Sequence, residues 1–185
     1  MQNKSNFNSF GVIGLGLIGG SLVKALHKAC PNATIQVADV NPLAVNAALF
    51  DGVATSGVDI NTLDFHNCEV LFICTPPRVT CEILSRIDPE SFGIITDVAS
   101  VKAPIMAAAA GLTNFVGGHP MAGSEGSGYY SSEIGLFNKS RYVLCVPENC
   151  AVPGSMLAML STLIRSLGAE VIFMDAIEHD RRVAM

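Results

Sequence analysis

Three glycines at the end of a short apolar run are the first residues of this sequence whose spacing could do chemistry. Gly14, Gly16 and Gly19 follow Val12 and Ile13 and lead into an amphipathic helical pattern. The first glycine of such a turn permits a sharp bend, the second lets the backbone approach a pyrophosphate, and the third allows close packing of helix on strand. The amides and the positive dipole end of the helix then form an anion site. Since glycine turns also occur for purely structural reasons, neighbouring residues must support this interpretation.

An acidic residue closes the next apolar run, which spans residues 34–38. Asp39 follows Gly19 by twenty residues, where a carboxylate can accept hydrogen bonds from both hydroxyls of an adenosine ribose. Val40 and Asn41, which come next, offer no cation for a ribose phosphate. We therefore predict a dinucleotide site, with NAD favoured over NADP.

A histidine near a later strand end is the best candidate for acid–base chemistry. His119 follows a Gly-Gly pair, and Pro120 disfavours helical geometry at the residue before it, so His119 stays extended. Imidazole titrates near neutral pH, and the two glycines allow a ligand to approach closely. A lone histidine is more often structural, and we assign His27 and His66 to the solvated surface.

The polar candidates share one position in the predicted sheet. In an open α/β sheet, ligands bind at the carboxyl ends of the strands. The polar residues that fall at such ends are the glycine turn, Asp39, Thr75, Asp97 with Ser100, and His119. The predicted cofactor-binding residues are Gly14, Gly16, Leu17, Ile18, Gly19, Asp39, Thr75 and Pro76.

Several further residues have an ordinary structural interpretation. We expect Ser100 to cap a helix, a role that leaves its hydroxyl able to face the site. We expect Lys102 to be an exposed lysine of a first helical turn. Residues 121–140 predict a long functional loop in which two adjacent tyrosines pack. His179 with Asp180 fits either a solvated helix face or the edge of a second half-site.

Short apolar runs that alternate with helical patterns predict the elements that position these residues. The predicted strands are residues 12–13, 34–38, 70–74, 94–98, 115–116, 142–146 and 171–174, and helices are predicted to begin near residues 18, 42, 79, 101, 153 and 176. This alternation is typical of an α/β, Rossmann-type, doubly wound and mostly parallel sheet with helices on both faces. Residues 1–175 then form a dinucleotide-binding domain. Residues 176–185, capped by Asp175, begin a connector to a helical domain that is absent.

Composition argues against several classes of function. The net charge of −5 and the lack of a cation cluster argue against nucleic-acid binding. The polar N-terminus lacks a secretory signal, and no apolar run approaches the roughly 18 residues that span a bilayer. The six cysteines show no metal-ligand spacing, so we expect reduced packing thiols, a cytoplasmic protein and no metal site.

Five motifs occur in order along nearly the whole chain. They are GLGLIGGS at 14–21, CTPP at 74–77, DVASVK at 97–102, GGHPMAGSE at 117–125 with Gly128, and EHD at 178–180. Together they resemble the prephenate and arogenate dehydrogenases of tyrosine biosynthesis. The glycine turn alone is a weak signal for this family. The other motifs are more specific for it, above all DVASVK and GGHPMAGSE.

The resemblance implies NAD-dependent oxidative decarboxylation of prephenate to 4-hydroxyphenylpyruvate, or of arogenate to tyrosine. On this reading His119 accepts a hydrogen bond, and then the proton, from the ring hydroxyl, while hydride leaves the same carbon for nicotinamide. Ser100 would hold the histidine or the substrate hydroxyl, and Ser124 would lie beside the ring. The family's helical domain dimerises, so a homodimer is expected, and a chain without that domain is expected to turn over weakly or not at all.

Two other functions stay open. The chain could be a non-catalytic module that binds NAD or a partner, because the helical half is missing. It could also belong to another small-acid dehydrogenase with the same kind of cofactor domain, such as a β-hydroxyacid dehydrogenase or an imine reductase. The HPMAGSE segment weighs against the last alternative.

Overall fold

The structure, a computed structural model, describes residues 7–88, 90 and 92–184. The start of the polar N-terminal segment, residues 1–6, lies outside the described residues. The strands are β1 (Ser9–Ile13), β2 (Thr34–Ala38), β3 (Ser56–Gly57), β4 (Cys68–Ile73), β5 (Phe92–Asp97), β6 (Phe115–Pro120), β7 (Arg141–Cys145) and β8 (Glu170–Phe173). The helices are α1 (Leu17–Ala29), α2 (Pro42–Phe50), α3 (Pro77–Leu84), α4 (Ala103–Ala108), α5 (Gly154–Ser166) and α6 (Ala176–Val183), and Tyr129–Ser131 forms a 3-10 turn.

The strands form one sheet in the order β3-β2-β1-β4-β5-β6-β7-β8. Neighbouring strands are parallel except β6 and β7, which run antiparallel. From β1 the sheet grows in one direction through β2 and β3, and in the other from β4 onwards. The adjacent carboxyl ends of β1 and β4 therefore mark the switch point at which doubly wound folds bind dinucleotides. The predicted doubly wound, mostly parallel sheet is confirmed.

Helices cover both faces of the sheet with separate apolar clusters. One cluster joins Leu22 of α1 and Leu160 of α5 to Phe72 of β4. The other joins Ile83 of α3 and Ile105 of α4 to the opposite side of the same strands. Because successive strand residues point to opposite faces, continuous apolar strands supply both clusters.

Several predicted element boundaries differ from those in the structure. The strand predicted at residues 115–116 continues to Pro120, because residues 117–120 pair with β7 in antiparallel register. The helix predicted to begin near residue 79 is α3, which begins at Pro77 and ends at Leu84. The N-cap of α4 is Lys102 rather than Ser100. The segment between α2 and β4, for which the sequence analysis predicts no strand, contains the short strand β3.

The last helix starts where the sequence predicts. The side chain of Asp175 accepts hydrogen bonds from the amides of Ile177 and Glu178 at 2.8 and 3.1 Å. α6 packs against α4, and this contact buries His179. Among the described residues, no helix is both long enough and apolar enough to cross a membrane.

Candidate functional site

The glycine turn after β1 has two glycines that the fold requires and one that it does not. Gly14 has a φ of 93°, in the left-handed region that favours glycine. A Cβ at Gly19 would lie 1.8 Å from the Gly14 carbonyl oxygen, so α1 packs closely on the turn. A Cβ at Gly16 would meet nothing within 4 Å. The middle glycine therefore faces open space at the start of α1, where amides lack intrahelical partners.

The Asp39 side chain links the end of β2 to this turn by a hydrogen bond. One oxygen of its carboxylate accepts the Leu15 amide, and the other accepts the Asn41 amide at 2.7 Å. A carboxylate has about four acceptor positions, so further hydrogen bonds to a ligand fit. Leu17 and Ile18, the first residues of α1, are half-buried.

The turn after β4 touches the glycine turn. A Cβ at Gly14 would lie 2.7 Å from the Cys74 carbonyl oxygen, which shows how closely the two turns approach. Thr75 Oγ1 is 2.9 Å from Thr80 Oγ1 in α3, and Pro76 is the exposed N-cap of that helix. The predicted residues after β1, β2 and β4 thus lie along one edge of the sheet.

A buried ion pair holds the ends of β5 and β6 together. Lys102 is fully buried, and its ammonium donates to the Asp97 carboxylate and, at 2.6 Å, to the Gly118 carbonyl. Asp97 also accepts the amides of Ala99 and Gly118, each at 2.9 Å. Burial raises the pKa of Asp97, although Lys102 and the two amides act in the opposite direction. The prediction that Lys102 is an exposed lysine is wrong, because Asp97 and Gly118 draw its amine into the interior.

His119 lies near the end of β6 with only 9% of its surface exposed. Its Nδ1 is 2.8 Å from Nε2 of His179 in α6, so the imidazole points to the sheet face that carries α4 and α6. Burial lowers the pKa of His119 to about 4, with further lowering by His179 and Lys102 and an opposing effect of Asp180. The ring is therefore neutral at physiological pH and can act as a hydrogen-bond acceptor.

His179 is buried rather than solvated, so the first of its two predicted interpretations is wrong. It is 1% exposed, and its Nδ1 lies 2.7 Å from Oδ1 of Asp180. Asp180 also accepts the amides of Lys102 and Ala103 at 2.7 and 2.8 Å. This carboxylate performs the capping task predicted for Ser100, because it reaches the start of α4 from another helix.

Other predicted residues lie apart from this network. Ser100 is exposed, and within the described residues it makes no hydrogen bond to His119. Ser124 is exposed, and its hydroxyl accepts the Gly126 amide at 3.4 Å. Tyr129 is buried and donates to Asp51 at 2.8 Å, which confirms the predicted packing for this tyrosine. The predicted packing of Tyr130 is wrong, because this residue is 84% exposed. The described part of the chain contains no cluster of three metal-ligating side chains.

Comparisons with known proteins agree with this geometry. The family model of the nucleotide-binding domain of prephenate dehydrogenase matches residues 22–173. A prephenate dehydrogenase from Lactococcus lactis subsp. cremoris is 33% identical over 178 residues, which are 92% of this chain and 47% of the relative. The chain thus spans about half the length of this relative.

Two solved structures share the fold over most of this chain. The prephenate dehydrogenase from Aquifex aeolicus matches with a TM-score of 0.83 at 25% identity, over 94% of this chain and 64% of that one. Arogenate dehydrogenase from Synechocystis matches with a TM-score of 0.83 at 29% identity, over 95% and 63%. The family model covers most of the chain, and the glycine turn that precedes its first matched residue has the geometry of a dinucleotide-binding turn. The chain therefore belongs to the prephenate dehydrogenase family, of which it carries the nucleotide-binding domain.

Proposed function

We propose that this chain binds NAD along the carboxyl edge of its sheet and serves the oxidative decarboxylation of a cyclohexadienol, prephenate or arogenate. The family supports the reaction class. The observation that carries the proposal is the buried, neutral His119, which the sheet holds at the same edge as the glycine turn.

The residues at the switch point fit a dinucleotide. The open space at Gly16 leaves room for a pyrophosphate against the backbone, and the amides of Leu17 and Ile18 begin a helix whose dipole favours an anion. The Asp39 carboxylate would accept hydrogen bonds from the ribose, and exposed Val40 offers no cation for a ribose phosphate. The remaining proposed cofactor contacts are Gly14, Gly19, Thr75 and Pro76.

The chemistry follows from a histidine that is neutral before substrate binds. When bound, NAD supplies the hydride acceptor. His119 accepts the proton of the ring hydroxyl as hydride leaves the same carbon, and loss of CO2 then makes the ring aromatic. Ser100 and Ser124 are exposed on segments that follow β5 and β6, and we propose both as substrate contacts.

Steady-state turnover tests this proposal directly. The chain is mixed with NAD and either prephenate or arogenate, and formation of reduced nicotinamide is followed by its absorbance. Activity that disappears in His119→Asn, with NAD affinity retained, is the expected result. Turnover that survives this substitution would remove His119 from the mechanism.

A non-catalytic nucleotide-binding module is the second candidate. It would use the same open space at Gly16 and the same Asp39 carboxylate, without proton transfer at His119. Turnover of either substrate that disappears in His119→Asn, with NAD affinity retained, would exclude this module.

The proposal also includes a domain organisation for the chain. We propose residues 1–175 as the cofactor domain and residues 176–185 as the start of a connector to a helical, dimerising domain.

Phe173, Ile177 and Val183 are 54%, 59% and 39% exposed, which favours a homodimer or a further domain over open solvent. We propose a cytoplasmic location, which the buried free thiols Cys68 and Cys145 favour. Sedimentation that shows only monomer at high concentration would contradict a dimer formed by this chain through these exposed residues.

A further inference from the structure

A second histidine lies directly behind the proposed proton acceptor. Nδ1 of His119 is 2.8 Å from Nε2 of His179, and the two rings meet edge to face with centroids 5.0 Å apart. Nδ1 of His179 is in turn 2.7 Å from Oδ1 of Asp180. Because His179 is 1% exposed, solvent competes little for its nitrogens. The three side chains form a line of hydrogen bonds that ends at Nδ1 of His119.

Asp180 is held as a carboxylate at the other end of this line. Its two oxygens accept the amides of Lys102 and Ala103 at the start of α4. Partial burial acts to raise the pKa of Asp180, but hydrogen bonds from Ala103, His179 and Lys102 outweigh it and lower the pKa. An ionised carboxylate only accepts hydrogen bonds, so the nitrogen that faces it, Nδ1 of His179, must carry a proton.

The proton on Nδ1 of His179 determines which nitrogen of His119 carries a proton. A neutral imidazole protonated at Nδ1 has its lone pair at Nε2. His179 therefore accepts at Nε2, and His119 must donate from Nδ1. His119 is then left with its own lone pair at Nε2, for which the described part of the chain supplies no hydrogen-bond partner.

We infer that His179 is a positioning residue which, backed by Asp180, holds His119 in the neutral tautomer whose Nε2 can accept a proton. The inference rests on the proposed role of His119 and assigns to His179 and Asp180 the task of preparing it. An orienting partner of this kind matters because the wrong tautomer places a proton where the lone pair is needed.

The charged and titratable groups around the pair come from several elements. Asp180 in α6 favours added charge on His119, whereas Lys102 before α4 and His179 in α6 disfavour it. Asp97 at the end of β5 pairs with Lys102, and Cys145 in β7 lies close enough to that pair to interact with it electrostatically. When His119 takes a proton at Nε2, it keeps its Nδ1 proton and continues to donate to His179, so the arrangement persists in both protonation states.

Nitrogen NMR of the histidine rings reads the tautomer directly. The full chain is labelled with 15N, and its ring nitrogens are correlated with the ring carbon-bound protons near neutral pH, without cofactor. The expected spectrum shows His119 protonated at Nδ1 and unprotonated at Nε2. A wild-type spectrum with the proton on Nε2 of His119, including one with a doubly protonated His179, would overturn the inference without any variant.

Two substitutions separate positioning from packing. His179→Phe keeps an aromatic ring but removes the acceptor, and it should let the Nε2-protonated tautomer of His119 appear. His179→Gln can place its amide oxygen near the position of Nε2, and it should restore the wild-type tautomer. His66→Phe is the matched control, because the His66 side chain is 75% exposed. An unchanged His119 tautomer in a folded His179→Phe chain would also overturn the inference.

Turnover supplies a second readout that separates this inference from the proposed function. His179→Phe should lower kcat by about 100-fold with little change in KM, since general base catalysis contributes typically 10²–10⁴-fold. His179→Gln should recover most of the loss, and a kcat equal to wild type in His179→Phe would contradict the inference. Absence of turnover in the wild-type chain counts against the proposed enzyme only, because the spectrum still decides the tautomer.

Discussion

Lys102 links the carboxyl ends of β5 and β6. Its ammonium lies between the Asp97 carboxylate and the Gly118 carbonyl, and it is fully buried. A buried ion pair contributes little net stability compared with apolar residues, but removal of one partner leaves the other charge without compensation. Lys102 is therefore expected to support the site by holding the strand that carries His119.

Lys102→Met should lower the free energy of unfolding by about 3–5 kcal/mol, because Asp97 then stays buried without its cation. Denaturant unfolding measures the change, with Lys28→Met as an exposed control expected within about 0.5 kcal/mol of wild type. The double variant Lys102→Met with Asp97→Asn should lose less than Lys102→Met alone. Equal stability of the two single lysine variants would contradict the role of the ion pair.

The low pKa of His119 makes stability depend on pH. Folding lowers this pKa from 6.5 to about 4, so the unfolded chain binds more protons between these values. The stability that His119 contributes is complete above pH 6.5 and is lost as the pH falls from there towards 4, by no more than about 3 kcal/mol. Unfolding free energies measured across this window should fall less steeply in His119→Gln. Identical slopes in the two proteins would show that His119 is not the group responsible.

At the scale of elements, the glycine turn contains one glycine that packing requires, Gly19, and one that leaves space for a ligand, Gly16. Gly19 has no space for a side chain because the Gly14 carbonyl occupies it, whereas Gly16 faces open space. Both glycines start the same helix, so they form a matched pair for substitution.

Gly19→Ala should destabilise the chain by about 1–3 kcal/mol or more, since the new Cβ would overlap backbone. The sign is informative because alanine is otherwise a better helix former than glycine by about 1 kcal/mol. Gly16→Ala should stay within about 0.5 kcal/mol of wild type. Thermal and denaturant unfolding give both values, and a stabilising Gly19→Ala would contradict the close packing of α1 on the turn.

The elements themselves could largely be predicted from sequence, because their signals are local. Apolar runs, Pro42 and the Asp175 cap lie within a few residues of the elements that they start. The cap of α4 could not be predicted in this way, because its acceptor, Asp180, is 78 residues from Lys102. For the same reason the sequence predicts an exposed Lys102 and does not decide between a solvated helix face and the edge of a half-site for His179, although the DVASVK and EHD motifs contain both residues.

At the scale of the whole molecule, the sheet brings together groups that are distant in sequence. The switch point between β1 and β4 places the glycine turn, Asp39 and Thr75 along one edge, and β5 and β6 continue that edge to Asp97 and His119. α1 and α2 lie on one face, while α4 and α6 hold the histidine on the other. A ligand that spans the edge can therefore reach both sets of residues, as dinucleotides do at switch points.

NAD binding to the isolated chain tests the account most directly. Calorimetric titration of the folded wild-type chain should give saturable binding to one site. Gly16→Val should weaken that binding strongly while it leaves the circular dichroism spectrum unchanged, because its side chain would fill the space left for the pyrophosphate. A folded wild-type chain that releases no saturable heat with NAD, or a Gly16→Val chain that binds NAD as tightly as wild type, would contradict the proposed cofactor site.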